Sequence, residues 1–181
     1  MRTARDGADA LREALRAEGG AVAGVLDEPA SPIEHLDLPG PAQLAAAGPR
    51  TRDRNREYEL LLEMILEGYR LHYDEPLVVR ARDPDLALLL GDQLYALGLA
   101  RLAALGDLDA VAELADVISL TAQAHSAADR DLADAVWQAG AVSVGWGPSE
   151  DHRRAKERAR ALDPDAASAL RASAARRAAD S

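Results

Sequence analysis

A cluster of polar side chains near the middle of the chain has the residue types that bind metal ions or anions. It comprises His72, Asp74, Glu75, Arg80 and Arg82. Carboxylate oxygens bind divalent cations, and arginine side chains pair with phosphate groups in a bidentate manner. The cluster is therefore a candidate diphosphate or divalent-cation site. A solvated turn is the simpler interpretation, because Pro76 prevents a second carboxylate from following one helical turn later.

A second polar pair interrupts a leucine-rich stretch that is predicted to be helical. Gly91 is followed directly by Asp92 and Gln93. A glycine inside a helix costs about 1 kcal/mol relative to alanine, so another contribution must offset that cost. We predict that Gly91 lies at a tight crossing with a second helix; the alternative is a ligand role for Asp92 and Gln93 in a cleft.

The remaining histidines do not form a recognisable catalytic or metal-binding motif. His125 ends an apolar stripe, His35 lies in a predicted connector and His152 lies on a charged helix. The sequence contains no HExxH motif, no ExxH pair, no GxSxG motif and no phosphate-binding loop of Walker type. Di-iron chemistry and nucleophilic hydrolysis therefore have no support in the sequence.

The composition indicates a helical protein. Hydrophobic residues make up 48% of the 181 positions, but aromatic residues make up only 3% and phenylalanine is absent. Leucine and alanine dominate the apolar residues, and both favour helices, whereas strands favour β-branched and aromatic residues. Lys156 is the only lysine among 21 basic residues, which we interpret as a compositional bias.

Charge and hydropathy narrow the functional classes. The formal net charge of −10 disfavours nucleic-acid binding, which needs a cationic face. The absence of cysteine excludes disulfides and thiolate sites. No apolar run reaches the roughly 20 residues that span a bilayer, and the N-terminus lacks the uncharged core of a signal peptide. We therefore expect a cytoplasmic protein without a membrane span.

Helix start and stop signals predict an all-α fold. Asp83 and Pro84 are predicted to start one helix, Gly106 to end it and Asp107 to start the next. We expect an antiparallel helix bundle with a Pro-rich connector near the N-terminus and a charged C-terminal helical hairpin. The predicted segments are an N-terminal helix (1–20), a Pro/Gly-rich connector (21–52), the bundle core (53–147) and charged C-terminal helices (148–181). The last segment could be a peripheral hairpin or a tail that binds a partner.

Periodicity predicts which side chains form the core. The predicted core residues are Leu61, Ile65, Leu90, Leu94, Leu97, Val111, Ile118 and Val136. In the helix that precedes His125, the inward stripe is predicted to consist of Leu108, Val111, Ala115, Ile118 and Ala122. In the leucine-rich helix before it, Leu86, Leu89 and Leu105 are also predicted to be buried.

The stretch from Leu66 to His125, about a third of the chain, resembles part of the trans-polyprenyl diphosphate synthase family. In that all-helical family an aspartate-rich motif ends one helix and a short arginine-bearing loop follows. The next helix opens with Gly-Asp and leads through a Gly-Asp hairpin to another helix. The corresponding pieces here are LHYDEPLV, VRARDPD, LALLLGDQLYALGLARLAALGD and LDAVAELADVISLTAQAH.

The chain departs from the family pattern in its carboxylates and its length. The family holds an Mg²⁺-bridged diphosphate with carboxylates one helical turn apart, whereas this chain has the adjacent pair Asp74 and Glu75. A second aspartate-rich motif is missing, and the chain has about half the length of a complete synthase. The resemblance therefore implies a degenerate or accessory member, similar to the non-catalytic small subunits of heteromeric bacterial prenyl diphosphate synthases.

These observations lead to one expected function and two alternatives. We expect a non-catalytic accessory or regulatory subunit that binds a partner protein or forms a homo-oligomer, and that needs no cofactor. The first alternative is a small Mg²⁺-dependent, diphosphate-binding enzyme, and the second is an unrelated helical adaptor or regulator. The ligand-binding candidates are His72, Asp74, Glu75, Arg80, Arg82, Asp92 and Gln93.

Overall fold

The computed structural model describes residues 2–26 and 37–179, and this part of the chain is all-α, as predicted. Its helices are α1 (Ala4–Glu18), α2 (Gly20–Ala23), α3 (Pro41–Ala47), α4 (Asn55–Tyr73), α5 (Pro84–Ala104), α6 (Leu108–Ser126), α7 (Arg130–Trp146), α8 (Glu150–Arg160) and α9 (Ala166–Ala179), with a 3₁₀ turn at Arg52–Arg54. Within the described part of the chain, Leu26 and Val79 form an isolated antiparallel β-bridge. His35 lies outside the described residues.

Local capping chemistry explains where the central helices begin. The Asp83 carboxylate accepts a hydrogen bond of 3.0 Å from the Asp85 amide, and Pro84 occupies the first helical position of α5. The Asp107 carboxylate accepts a bond of 3.1 Å from Ala110 and caps α6. Gly106 adopts a φ of +80°, which glycine tolerates better than other residues. The predicted start of each helix is therefore confirmed.

The described chain forms two compact units. The first contains residues 1–43 and 56–105, and so includes α1, α2 and α5 and nearly all of α4. The second contains residues 44–55 and 106–181, and so includes α6 to α9. Each unit has its own buried core.

In the first unit, glycines allow α4 and α5 to approach closely. A Cβ atom added to Gly91 would lie 2.7 Å from the imidazole ring of His72, and one added to Gly98 would lie 2.5 Å from Ile65 Cγ1. Both distances are too short for van der Waals contact. The prediction that Gly91 lies at a tight helix crossing is therefore confirmed. Leu61, Ile65, Leu90 and Leu94 are buried as predicted, whereas Leu97 is only partly buried.

In the second unit, the predicted inward face of α6 is wrong. The residues that α6 buries are Ala110, Glu113, Leu114, Val117, Leu120, Thr121 and Ala124. Leu108 is 68% exposed, Ala115 is exposed, and Val111 and Ile118 are only partly buried. Apolar residues lie on two sides of α6, so periodicity does not distinguish the side that packs against its neighbours. Of the core predicted for this unit, Val136 on α7 is buried.

The last two helices belong to the core of the second unit. Helix α8 buries His152, Ala155 and Ala159. Helix α9 buries Leu170 and Ala174, among others. Both helices pack against other helices of this unit, so the C-terminal segment is not peripheral to it.

Candidate functional site

Most of the predicted ligand-binding residues are exposed and do not converge. Asp74, Glu75, Arg80, Arg82 and Gln93 are all exposed. Among the described residues, no group of three or more histidine, cysteine, aspartate or glutamate side chains could hold a metal ion. The Mg²⁺-dependent alternative therefore stays a prediction without a structural observation in its favour.

Two of the predicted residues, His72 and Asp92, do come together. His72 Nε2 lies 3.1 Å from Asp92 Oδ1, although the angles are not those of a hydrogen bond. The imidazole stacks on Tyr95, with ring centroids 5.4 Å apart and planes inclined by 4°. Burial raises the pKa of the Tyr95 hydroxyl, so this group stays neutral. The arrangement is a helix-crossing contact that holds α4 against α5.

Helix α4 carries a buried row of carboxylates that was not predicted from the sequence. Glu59, Glu63 and Glu67 follow one another at intervals of four residues, and all three are buried. Glu67 accepts three backbone hydrogen bonds, from Leu77 (3.1 Å), Val78 (2.7 Å) and Val79 (2.9 Å), which hold the segment after α4. Three glutamates at helical spacing inside the apolar run ELLLEMILEG were the signal that could have revealed this row.

Glu63 is the least satisfied member of this row. Its Oε1 accepts a hydrogen bond of 2.9 Å from Gln43 Nε2, whereas Oε2 has no hydrogen bond and lies 3.5 Å from Arg70 Nη1. Burial raises the pKa of the Glu63 carboxyl group and outweighs the nearby Arg70 charge. A Cβ atom at Gly7 would lie 2.5 Å from Glu63 Oε1, so glycine there allows α1 to approach.

The second unit contains an ionic network that the sequence analysis also missed. Glu113 lies 2.7 Å from both His152 Nε2 and Lys156 Nζ. Asp116 accepts from Lys156 at 2.8 Å and from Arg160 at 2.7 Å. Lys156, which the sequence analysis attributed to composition, therefore bridges two carboxylates. The signal was this single lysine, one helical turn after His152 on α8.

The network favours the charged forms of Glu113, Asp116 and Lys156. Burial opposes ionisation of Glu113 and Asp116, but the hydrogen bonds and charges of their basic partners outweigh it and lower both pKa values. Burial likewise opposes the charged form of Lys156, but the two carboxylates raise its pKa. The network therefore supplies ionic cohesion within the second unit.

A small cavity of about 190 Å³ lies beside this network. Its polar lining comprises Arg50, Asp109, Glu113, Asp116, Ser143 and Lys156. A cavity of about 150 Å³ is large enough to bind benzene. This cavity can therefore hold several water molecules or a small polar molecule.

The outward side of α5 carries three of the four exposed leucines described in the first unit. Leu86, Leu88 and Leu89 are 38%, 44% and 66% exposed, so the prediction that Leu86 and Leu89 are buried is wrong. Only 28% of the most apolar 18-residue window of α5 is buried, and its mean hydropathy is 1.3. By length and composition α5 is the one described helix that could cross a membrane, which is weak evidence and consistent with the expectation of no span.

The stretch that resembles prenyl diphosphate synthases includes the whole of α5 and nearly all of α6. Its Gly-Asp pairs are Gly91-Asp92 at the α4–α5 crossing and Gly106-Asp107 at the start of α6. Both pairs have structural roles in this chain, at a helix contact and at a helix cap. Comparison of the chain with models of protein families, with curated proteins and with solved structures finds no match.

Proposed function

We propose that this chain is a non-catalytic accessory subunit that acts by binding another polypeptide through the outward side of α5. The observation that carries the proposal is the uncovered apolar surface of this helix. A helix that is apolar on all sides is normally buried, either in the core of a protein or in a membrane. Helix α5 has apolar residues on all sides, yet its leucines at positions 86, 88 and 89 are exposed.

The nature of the surface supports a protein partner. The largest contiguous apolar patch on a monomeric protein covers about 300–600 Å² and is often an interaction site. Helix α5 carries few charged side chains. The acidic and basic residues among its 21 are Asp85, Asp92 and Arg101. The cores of protein interfaces are similarly depleted of charge.

The sequence resemblance supports a candidate for the partner, a catalytic prenyl diphosphate synthase subunit. The adjacent carboxylates Asp74 and Glu75 are exposed and stand apart from other acidic groups, which agrees with a subunit that does not bind the diphosphate itself. Under this proposal the chain supplies helical surface to its partner, and the partner supplies the metal-binding carboxylates.

Affinity capture from the native host tests this function. The tagged wild-type chain is expected to retain a synthase that has two aspartate-rich motifs, identified by mass spectrometry, and the Leu89→Arg variant is expected to lose it. Leu108→Arg is the matched control, because Leu108 is an equally exposed leucine on α6. Circular dichroism and thermal melting establish that both variants are folded. Identical sets of captured proteins for the wild type and Leu89→Arg would refute the proposal.

A further inference from the structure

The geometry points to a second copy of this chain as the occupant of the α5 surface, with the two α5 helices packed antiparallel across a twofold axis. This inference rests on the proposed function, in that it takes the outward side of α5 to be a polypeptide-binding surface. It adds the identity of the chain that binds there when the protein is isolated. Three properties of the helix carry it: the spacing, the size and the charge of its outward residues.

The outward residues of α5 have the spacing of a coiled-coil seam. The α5 seam comprises Leu86, Leu89, Gln93, Ala96, Ala100 and Ala103, and every one of them is exposed. Successive members are separated alternately by three and four residues. This alternation places side chains in a single line that another helix can follow, with each side chain inserting between those of the facing helix.

The sizes of the seam residues favour an antiparallel pair. The first two members are leucines and the last three are alanines. In an antiparallel pair centred between positions 94 and 95, Leu89 faces Ala100 of the second copy and Leu86 faces its Ala103. Every layer then combines one large and one small side chain. A parallel pair would crowd leucines at one end and leave a gap between alanines at the other, and such gaps are destabilising.

Charge favours the same orientation. Asp85 lies at the N-terminal end of α5, and Arg101 lies in its last turn, where it pairs with Glu18 of its own chain. An antiparallel copy brings Asp85 towards the other copy's Arg101. It also places the positive end of each helix dipole beside the negative end of the other. A parallel copy would place Asp85 beside Asp85. Asp92 flanks the seam near the axis and lies 3.1 Å from His72 Nε2 of its own chain.

The area of the seam predicts a weak dimer. A helix of 21 residues is roughly 30 Å long and about 10 Å wide. A strip along a third of its circumference covers on the order of 300 Å² per copy, compared with about 800 Å² in a stable interface. We therefore expect a reversible dimer with a Kd on the order of 100 μM, at the weak end of specific association.

Sedimentation of the full chain between about 5 and 500 μM tests the association. The sedimentation coefficient of the wild type is expected to rise with concentration. Ala100→Leu should weaken the dimer about tenfold, because it opposes two leucines. The exchange variant Leu89→Ala/Ala100→Leu should recover to within about threefold of the wild type, because every layer again combines a large and a small side chain. A chain that stays monomeric, or an exchange variant no better than Ala100→Leu, overturns the inference.

Cysteine cross-linking tests the orientation, because the native chain has no cysteine to interfere. Mixed Leu89→Cys and Ala100→Cys chains should form a disulfide between the two variants. Leu89→Cys alone should not cross-link to itself, because the two positions 89 would lie roughly 16 Å apart along an antiparallel pair, beyond disulfide reach. The reverse pattern overturns the antiparallel arrangement. A monomeric wild type whose capture of a synthase still depends on Leu89 refutes the second copy and leaves the proposed function intact.

Discussion

At the scale of the residue, two completely buried carboxylates on α4 differ in how many hydrogen bonds their oxygens accept. Glu67 accepts three backbone hydrogen bonds and lies beside Arg70. Glu63 has one oxygen bonded to Gln43 and one without a hydrogen bond. Because burial dominates at Glu63, its pKa is raised above its ordinary value.

The raised pKa of Glu63 predicts a specific pH dependence of stability. A carboxyl group with a raised pKa in the folded state stabilises the fold below its unfolded pKa, and this contribution is lost as pH rises towards the folded pKa. The Glu63→Gln side chain cannot ionise, so the variant does not lose stability in this way as pH rises. Its free energy of unfolding should therefore improve relative to the wild type as pH rises above 4.5, by about 1.4 kcal/mol for each unit by which the pKa is raised.

Urea unfolding of both proteins across this pH range provides the measurement. Glu57→Gln is the control, since Glu57 is an exposed acid on the same helix. A difference between wild type and Glu63→Gln that stays constant with pH would contradict the raised pKa.

At the scale of the element, the α4–α5 crossing depends on glycines as much as on leucines. Gly91 and Gly98 on α5 lie so close to α4 that a methyl group at either position would overlap His72 or Ile65. The cost of glycine within a helix is offset by this close approach. Asp92, the residue after Gly91, lies 70% exposed beside the crossing, and so the contact with His72 forms at its edge.

Replacing Gly91 with leucine should disrupt the crossing. The larger side chain would enter the space of the His72 ring, and overpacking of this kind destabilises by about 1–3 kcal/mol. Chemical denaturation of Gly91→Leu measures the effect. Ala115→Leu, at an exposed position of α6, should unfold like the wild type. A Gly91→Leu protein as stable as the wild type would show that α4 and α5 are not in close contact there.

At the scale of the whole molecule, each unit has its own network of ionisable side chains that are partly or fully buried. The first contains the carboxylate row of α4, and the second contains Glu113, Asp116, His152, Lys156 and Arg160. Every carboxylate of the second network has a basic partner. These ionisable side chains form contacts that stabilise the fold of each unit. The exposed pair Asp74 and Glu75 is separate from both networks.

We predict that the isolated chain does not catalyse prenyl chain elongation. Departure of diphosphate requires neutralisation of developing negative charge, which metal ions held by facing carboxylate clusters provide. Asp74 and Glu75 form at most one incomplete cluster. Incubation with an allylic diphosphate, isopentenyl diphosphate and Mg²⁺ should therefore give no elongated product.

One result of this assay would reverse the conclusion. Product formed by the wild type that disappears in Asp74→Ala/Glu75→Ala would establish an enzyme. The matched control is Glu150→Ala/Asp151→Ala, a pair of adjacent acids at the start of α8. Loss of product in both variants would indicate a general effect of charge and leave catalysis unassigned to Asp74 and Glu75.

The amino-acid sequence by itself determined the helices and where they begin, because caps act through neighbours a few residues away. Asp83, Pro84 and Asp107 start α5 and α6 as predicted. It also placed Gly91 correctly at a helix contact. Of the candidate site, it identified His72 and Asp92, and the structure places their side chains 3.1 Å apart.

Only the tertiary structure decided which side of each helix is buried. Helix α6 has apolar residues on two sides, and the side that packs depends on which other helix covers it. The same holds for Glu63 and Lys156, whose partners lie far away in the sequence, at Gln43 and Glu113. Periodicity records spacing along one helix, whereas burial and ion pairing depend on side chains that folding brings from elsewhere.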